Sequence, residues 1–524
     1  MRCFLFLFIC ALFSSCNTGQ NSETIVFANN PVIAHRGAWK AKGFPENSIA
    51  ALRYAIELNC TGSEFDVRMT KDNILIVTHD ADYKGLIIEE NTYDELAKHK
   101  LSNGEKLPTL RDYIEAGMKD NDSTGMVCEI KPSRIKERSK LMAEKTLAIV
   151  KELGAESYMS YYISFGYGII QRIKEIDPKA KVLYLNGSKN PQKLKTDNID
   201  GLDYYHSIFK KHPNYIEDSK ELGLKLNAWT VNKAEDIDWL LANGFDYITT
   251  NEPELVFERM KKSPTTKGYK LVWSDEFSYS GKPDSLKWNY EIGFKRNQEK
   301  QYYTNRLENA RVEKGYLVIE SRKETIENTD YLNQTRPNWI SKKPYADYTS
   351  ASLTTKDLAD WTYGRIDINA KLPEGIGLWP AFWMLGQNWE EIGWPKCGEI
   401  DIMEHVGFDP DSIFGTIHSK AYNHMKGTQK GKRVYIEKPY DKFHTYSLVW
   451  TPADMSFLLD GKVYNRIENE NTTTDEWPFN QDFHLKINVA VGGMLGGRKG
   501  IDDTAFPNKM LVNYVRVFQK QNES

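Results

Sequence analysis

Two periodicities divide this chain. From Ile25 to about Met260, short apolar runs alternate with amphipathic stretches. The runs Val32–Ala34, Gly62–Val67, Ile74–Thr78, Gly125–Ile130, Tyr161–Ser164, Lys181–Leu185, Leu224–Trp229 and Asp246–Thr249 read as strands. Ser48–Leu58, Lys140–Leu153, Tyr167–Ile176 and Lys233–Ala242 carry the helical spacing between them. Strand and helix in alternation predict a parallel α/β unit, most simply a (β/α)8 TIM barrel. Lys261-Lys262-Ser263-Pro264-Thr265-Thr266-Lys267 then reads as a linker. Beyond it helical spacing nearly vanishes. Short alternating segments such as Tyr316–Ser321, Gly364–Leu372, Thr445–Trp450 and Leu511–Phe518 predict an all-β sandwich.

Length agrees with this division, since 524 residues exceed what one ordinary core organises. A net charge of −3 gives no reason to expect nucleic acid as a partner. Arg2 precedes an apolar run from Cys3 to Phe13, followed by Ser14-Ser15-Cys16, the layout of a secretory signal too short to span a bilayer. The placement of Cys16 resembles the lipobox of bacterial lipoproteins. That resemblance implies lipidation of Cys16 and a chain anchored by lipid in the bacterial cell envelope, at the outer membrane, on its periplasmic or surface face. A secreted protein with an incidental Cys16 is the alternative. The expected plan is a signal at 1–16, a tether at 17–28, the barrel at 29–260, the linker at 261–267 and the sandwich at 268–520. Cys60, Cys128 and Cys397 are odd in number and far apart, so they are read as buried free thiols.

The richest chemistry lies in Gly398-Glu399-Ile400-Asp401-Ile402-Met403-Glu404-His405. Acid and apolar residues alternate, so Glu399 and Asp401 share a face and Glu404 falls on the other. One extra residue, placed at Met403 and absorbed as a bulge, returns Glu404 to the acidic face. Crowded carboxylates with divided ionisation are what glycoside hydrolysis needs. Upstream, Leu378-Trp379-Pro380-Ala381-Phe382-Trp383 sets Trp379 and Trp383 on one strand face, as flat platforms for the C–H faces of sugars.

These motifs, with Trp273-Ser274-Asp275-Glu276-Phe277, Tyr302-Tyr303-Thr304-Asn305-Arg306, Gly364-Arg365, Gly415-Thr416-Ile417-His418 and Asn488-Val489-Ala490-Val491-Gly492-Gly493, resemble the laminarinase-like branch of glycoside hydrolase family 16 across residues 268–520. The resemblance implies a jelly-roll sandwich with an open cleft, Glu399 as nucleophile, Glu404 as acid/base and Asp401 between them. It implies no cofactor for that site. Trp379, Trp383, His418, Asn305 and Arg365 are its candidate substrate-binding residues. A β-1,3- or mixed-linkage glucan is the expected substrate, and an agar- or carrageenan-type galactan the runner-up. Met494 stands where the family often places an aromatic.

A second set lies at the ends of the first unit's strands: His35-Arg36-Gly37, Pro45-Glu46-Asn47, Glu64-Phe65-Asp66-Val67, His79-Asp80 and Glu129-Ile130-Lys131. Strand C-termini in a barrel share one mouth. Oxygen ligands there suit a hard divalent cation, magnesium or calcium. Arg and Lys suit a phosphate, and two His suit acid–base work. In this order, with Leu107-Pro108-Thr109-Leu110 and Trp229-Thr230-Val231-Asn232, the set resembles the glycerophosphodiester phosphodiesterase family across residues 30–258. The resemblance implies Glu64, Asp66 and Glu129 as metal ligands and His35 and His79 as the acid/base pair. It implies Arg36 and Lys131 as the phosphate grip, with Glu46 and Asn47 in support. Asn251 stands where the last strand of that family often carries Asp.

The expected activity is therefore bifunctional: an endo-glycosidase and a metal-dependent phosphodiesterase, with a β-glucan, a phosphodiester and a membrane as partners. The competing reading is a non-catalytic surface lipoprotein that binds glycan.

Overall fold

A computed structural model describes residues 25–520, which form two compact units. The apolar segment ending at Cys16 and the first part of the tether lie outside the described residues. Among the described residues no helix is long and apolar enough to cross a membrane.

The first unit holds eight parallel strands closed into a barrel: Val32–Ala34, Gly62–Met69, Gly125–Ile130, Met159–Ser164, Val182–Tyr184, Gly201–Tyr205, Lys225–Trp229 and Tyr247–Thr250. The first strand pairs with both the second and the last, which closes the ring. Its interior packs Ile33, Val127, Tyr161, Ile163, Leu183 and Leu185. Helices alternate with the strands because their apolar residues recur at helical spacing. Ile169, Ile170 and Ile173 of Tyr167–Ile176 are buried. Ser48 caps Ile49–Glu57 by accepting the Ala51 N–H at 3.1 Å.

One strand assignment needs correcting. Leu75–Val77 pairs antiparallel with Gly62–Met69, outside the ring. The strand that completes the eight, sixth in chain order, is Gly201–Tyr205, where buried Asp203 interrupts the apolar run and hides it from hydrophobic periodicity.

The residues read as a linker are ordered secondary structure in part. The helix Pro253–Lys262 extends into them, and Thr265–Lys267 forms a 3-10 turn. The second unit is a jelly-roll sandwich of one seven-stranded and one ten-stranded sheet. The seven-stranded sheet runs in the order Asn289–Glu291, Ser352–Thr354, Phe483–Val491, Leu378–Gly386, Glu399–Glu404, Ser412–His418, Lys430–Tyr435. Its Phe382, Met384, Ile400, Ile402 and Met403 meet Ile366, Ile368, Leu448, Val515 and Val517 of the ten-stranded sheet in one core. Cys60, Cys128 and Cys397 are free and buried.

Candidate active sites

In the sandwich, register fixes the acidic wall. Along Glu399–Glu404, Asp401 lies opposite Trp383, while Met403 and Glu404 lie opposite Phe382 and Ala381. Ile402 therefore has no partner and is the extra residue, one position before the Met403 expected from the pattern. Ile402 and Met403 both point into the core, at 1% and 0% exposure. Two consecutive inward residues are a bulge, and they return Glu404 to the side of Glu399 and Asp401. All three carboxylates line one cavity, together with Arg296, Asn297, Glu299, Trp379, Trp383 and Asn488.

Trp379 donates its indole N–H to Glu404 Oε1 at 3.0 Å. His418 pairs across from Glu399 in the next strand. Its Nε2 is 3.3 Å from Asp401 Oδ2 and 3.8 Å from Glu399 Oε1. Burial raises all three carboxyls to about 8, and the charge of Asp401 adds to the shift of both glutamates. Arg296 favours the ionised form of Glu399 but is no cause of the Glu404 shift. His418 favours the ionised form of both glutamates, and the Trp379 N–H favours that of Glu404, so the two stand together at about 8.

Three expected sugar contacts change. Trp383 is not an open platform. It is 7% exposed, donates its indole N–H to Asn488 Oδ1 at 2.8 Å, and carries Lys486 and Arg296 over its ring at 4.6 and 4.8 Å. Those cations are held by Glu291, 2.8 Å from Lys486 and also paired to Arg296. They keep the Glu291 carboxyl well below its usual range. Arg365 lies on the ten-stranded sheet, on the face opposite its core residues Ile366 and Ile368, and pairs with Asp367 at 2.8 Å. The thickness of the core separates it from the acidic cavity. Asn305 is exposed on the turn after Gln301–Tyr303 and does not line the cavity. Arg296, Asn297 and Glu299, a few residues before Asn305, line it instead. Their polar run before a Tyr-Tyr strand was the available signal.

In the barrel, one carboxylate oxygen from each of Glu64, Asp66 and Glu129 lies within 4.8 Å of the others. Lys131 reaches Asp66 and Glu129, each at 2.8 Å. Asn47 donates to Asp66 Oδ2 at 2.8 Å, and the backbone N–H of Arg36 donates to Glu64 Oε2 at 2.8 Å. The Arg36 guanidinium bonds Glu46 at 2.6 Å and lies 3.5 Å from Asp66. Arg36 and Asn47 both take left-handed backbone conformations, at φ 56° and 59°. Gly37, at φ 79°, has no room for a Cβ, which would stand 2.7 Å from the Ala51 backbone. Burial raises Glu64 strongly and Glu129 to about 7, whereas Lys131 overcomes burial and holds Asp66 at about 2.

These residues fit a hard cation. Three buried carboxylates converge, and Glu64 Oε1 is buried with no hydrogen-bond partner. His35 Nδ1 is 2.7 Å from Asn251 Oδ1. An amide oxygen only accepts, so Nδ1 carries the proton and Nε2 keeps a lone pair. Burial, with Arg36, lowers His35 to about 4. His79 Nδ1 is 2.8 Å from Asp80 Oδ1, and Arg68 donates to the His79 carbonyl at 2.7 Å. Asn251 and Asp80, which the sequence singles out without a role, and Arg68, which lies outside the motifs, orient the two histidines.

Comparison with known proteins agrees with both halves. The profile of the glycerophosphoryl diester phosphodiesterase family matches residues 35–255, and that of glycosyl hydrolases family 16 matches residues 297–516. A beta-glucanase of Rhodothermus marinus is 47% identical over 272 residues, covering 50% of this chain and 88% of the relative. A glucan endo-1,3-beta-glucosidase of Cryptopygus antarcticus is 38% identical over 263 residues, covering 47% and 90%. A glycerophosphodiester phosphodiesterase of Caldanaerobacter subterraneus subsp. tengcongensis is 30% identical over 246 residues, covering 44% and 98%. The chain belongs to the glycerophosphoryl diester phosphodiesterase family in its barrel and to glycosyl hydrolases family 16 in its sandwich. It is a hydrolase on both counts.

Proposed function

We propose that this protein is a bifunctional hydrolase. Its sandwich cuts β-1,3- or mixed-linkage glucan internally with retention of configuration, and its barrel cleaves phosphodiesters of glycerol. The first activity rests on the bulge at Ile402, which gathers Glu399, Asp401 and Glu404 on one accessible wall. The named activities of the Rhodothermus and Cryptopygus relatives support glucan as its substrate.

In this reading Glu399 attacks the anomeric carbon as Glu404 protonates the departing oxygen. Glu404 then takes a proton from water, which displaces Glu399 from the sugar. Asp401 and Trp379 bear on Glu404 from opposite directions, the one raising and the other lowering its proton affinity. Incubation with laminarin, followed by NMR of the first products, tests this. β-Anomers are expected, and α-anomers would overturn the retaining mechanism.

In the barrel, Glu64, Asp66 and Glu129 would hold a divalent cation, which supplies charge neutralisation at the phosphoryl oxygens. Arg36 and Lys131 grip the phosphate. His35, with its Nε2 lone pair exposed by the bond to Asn251, takes a proton from the attacking group, and His79 delivers one to the leaving alcohol. Release of glycerol phosphate from glycerophosphodiesters, lost on chelation, is the expected result.

The apolar run before Cys16 supports anchorage in the cell envelope. Fatty-acid labelling that disappears in Cys16→Ser tests it, and labelling that persists would refute it.

A further inference from the structure

The barrel mouth carries aromatic side chains that the proposed phosphodiester chemistry leaves unused. Phe165 follows the strand Met159–Ser164, Tyr205 ends Gly201–Tyr205, and Trp229 ends Lys225–Trp229. All three sit at strand C-termini, the same end as His35, Glu129 and Lys131. Strand order puts the acidic and phosphate-gripping residues on one arc, formed by Val32–Ala34, Gly62–Met69 and Gly125–Ile130. The aromatic residues occupy the remaining arc.

Phe165 meets Trp229 edge-on with centroids 5.5 Å apart, and Tyr205 meets Trp229 at 5.4 Å. Trp229 donates its indole N–H to the Asp203 carbonyl at 2.8 Å, which fixes its plane. Phe165 remains 37% exposed and Tyr205 44% exposed. Core-forming rings would be covered. Clustered rings left open at a site mouth are favourable to cover with the flat apolar face of a ligand.

We propose that Phe165, Tyr205 and Trp229 form a sugar-binding subsite, so that the leaving alcohol of the barrel's phosphodiester substrate is a pyranose. This rests on the phosphodiesterase reading above and names its substrate class. A pyranose presents a C–H face to match the rings, while its phosphoryl group extends to Arg36 and Lys131. The sandwich, acting on glycan, gives the same chain a reason to meet a sugar-borne phosphodiester. Hydrolysis breaks the bond between phosphorus and the sugar oxygen. Water supplies the hydroxyl to phosphorus, its proton reaches the sugar oxygen through the two histidines, and glycerol phosphate and free sugar result.

The test compares two diesters with the full chain and added magnesium or calcium: glycerophosphate esterified to glucose O6, and glycerophosphocholine. The glucose diester is expected to show kcat/KM at least about tenfold higher, a difference of about 1.4 kcal/mol. Phe165→Ala and Tyr205→Ala, checked for an unchanged thermal midpoint, are expected to erase that preference through KM. Equal or reversed preference in the wild type, or a preference that survives both substitutions, would overturn the subsite. Should neither diester be cleaved with either metal, the phosphodiesterase reading fails by itself. Saturation-transfer NMR of the glucose diester then decides the subsite: a signal lost in both variants sustains it, and no signal, or one that both retain, refutes it.

Discussion

Trp379 holds Glu404 through a single hydrogen bond, indole N–H to carboxylate oxygen at 3.0 Å. The two residues come from adjacent strands. They meet only because the bulge at Ile402 turns Glu404 toward the face that carries Trp379. The bond favours the charged form of Glu404, against burial and the charge of Asp401. Trp379→Phe keeps a ring and removes the donor. The alkaline limb of the kcat/KM profile on laminarin is expected to move upward, with kcat reduced. A limb that stays put or moves down would show that this bond does not tune the acid.

Deleting Ile402 removes the unpaired residue and with it the need for a bulge, because plain alternation then keeps Glu404 on the face of Glu399 and Asp401. Glucan hydrolysis is expected to persist, at a reduced rate, in the folded deletion variant. Ile402→Ala keeps the register but leaves a cavity, costing about 2–5 kcal/mol, and is expected to retain activity below its lowered midpoint. Complete loss of reducing-sugar release from a folded deletion variant would contradict the bulge argument.

Burying the carboxylates also costs stability in a pH-dependent way. Glu399, Asp401 and Glu404 keep their protons to about 8 in the fold, but ionise near about 4 when unfolded. Between those values the folded chain binds more protons than the unfolded one. Their contribution therefore becomes less favourable as pH rises through that window, and is least favourable above it. Glu404→Gln cannot ionise. Differential scanning calorimetry is expected to show a higher midpoint than wild type by a few degrees at about pH 9, and little difference at about pH 4. A larger gain at the acid end would reverse the sign of the argument.

The two activities are expected to separate. Glu399→Gln should reduce laminarin hydrolysis by at least about a thousandfold and leave phosphodiester cleavage intact. Glu64→Gln, or EDTA, should abolish phosphodiester cleavage and leave laminarin hydrolysis intact. Loss of both activities from either substitution, in a folded protein, would contradict two independent sites.

Much of this was legible along the chain. Alternation paired Glu399 with Asp401, and the single extra residue before Glu404 announced a bulge, because side-chain direction in a strand has a period of two. The order of the barrel motifs brought Glu64, Asp66 and Glu129 to one end, because parallel strands place their C-termini together. Periodicity assigns a face, however, and does not say which sheet owns the strand or what covers the face. Only the tertiary structure put Arg365 on the sheet away from the cavity, and laid Lys486 and Arg296 over Trp383. Only closure of the barrel showed Gly201–Tyr205 to be one of its strands, its apolar run interrupted by Asp203, and brought Phe165, Tyr205 and Trp229 together from distant parts of the chain.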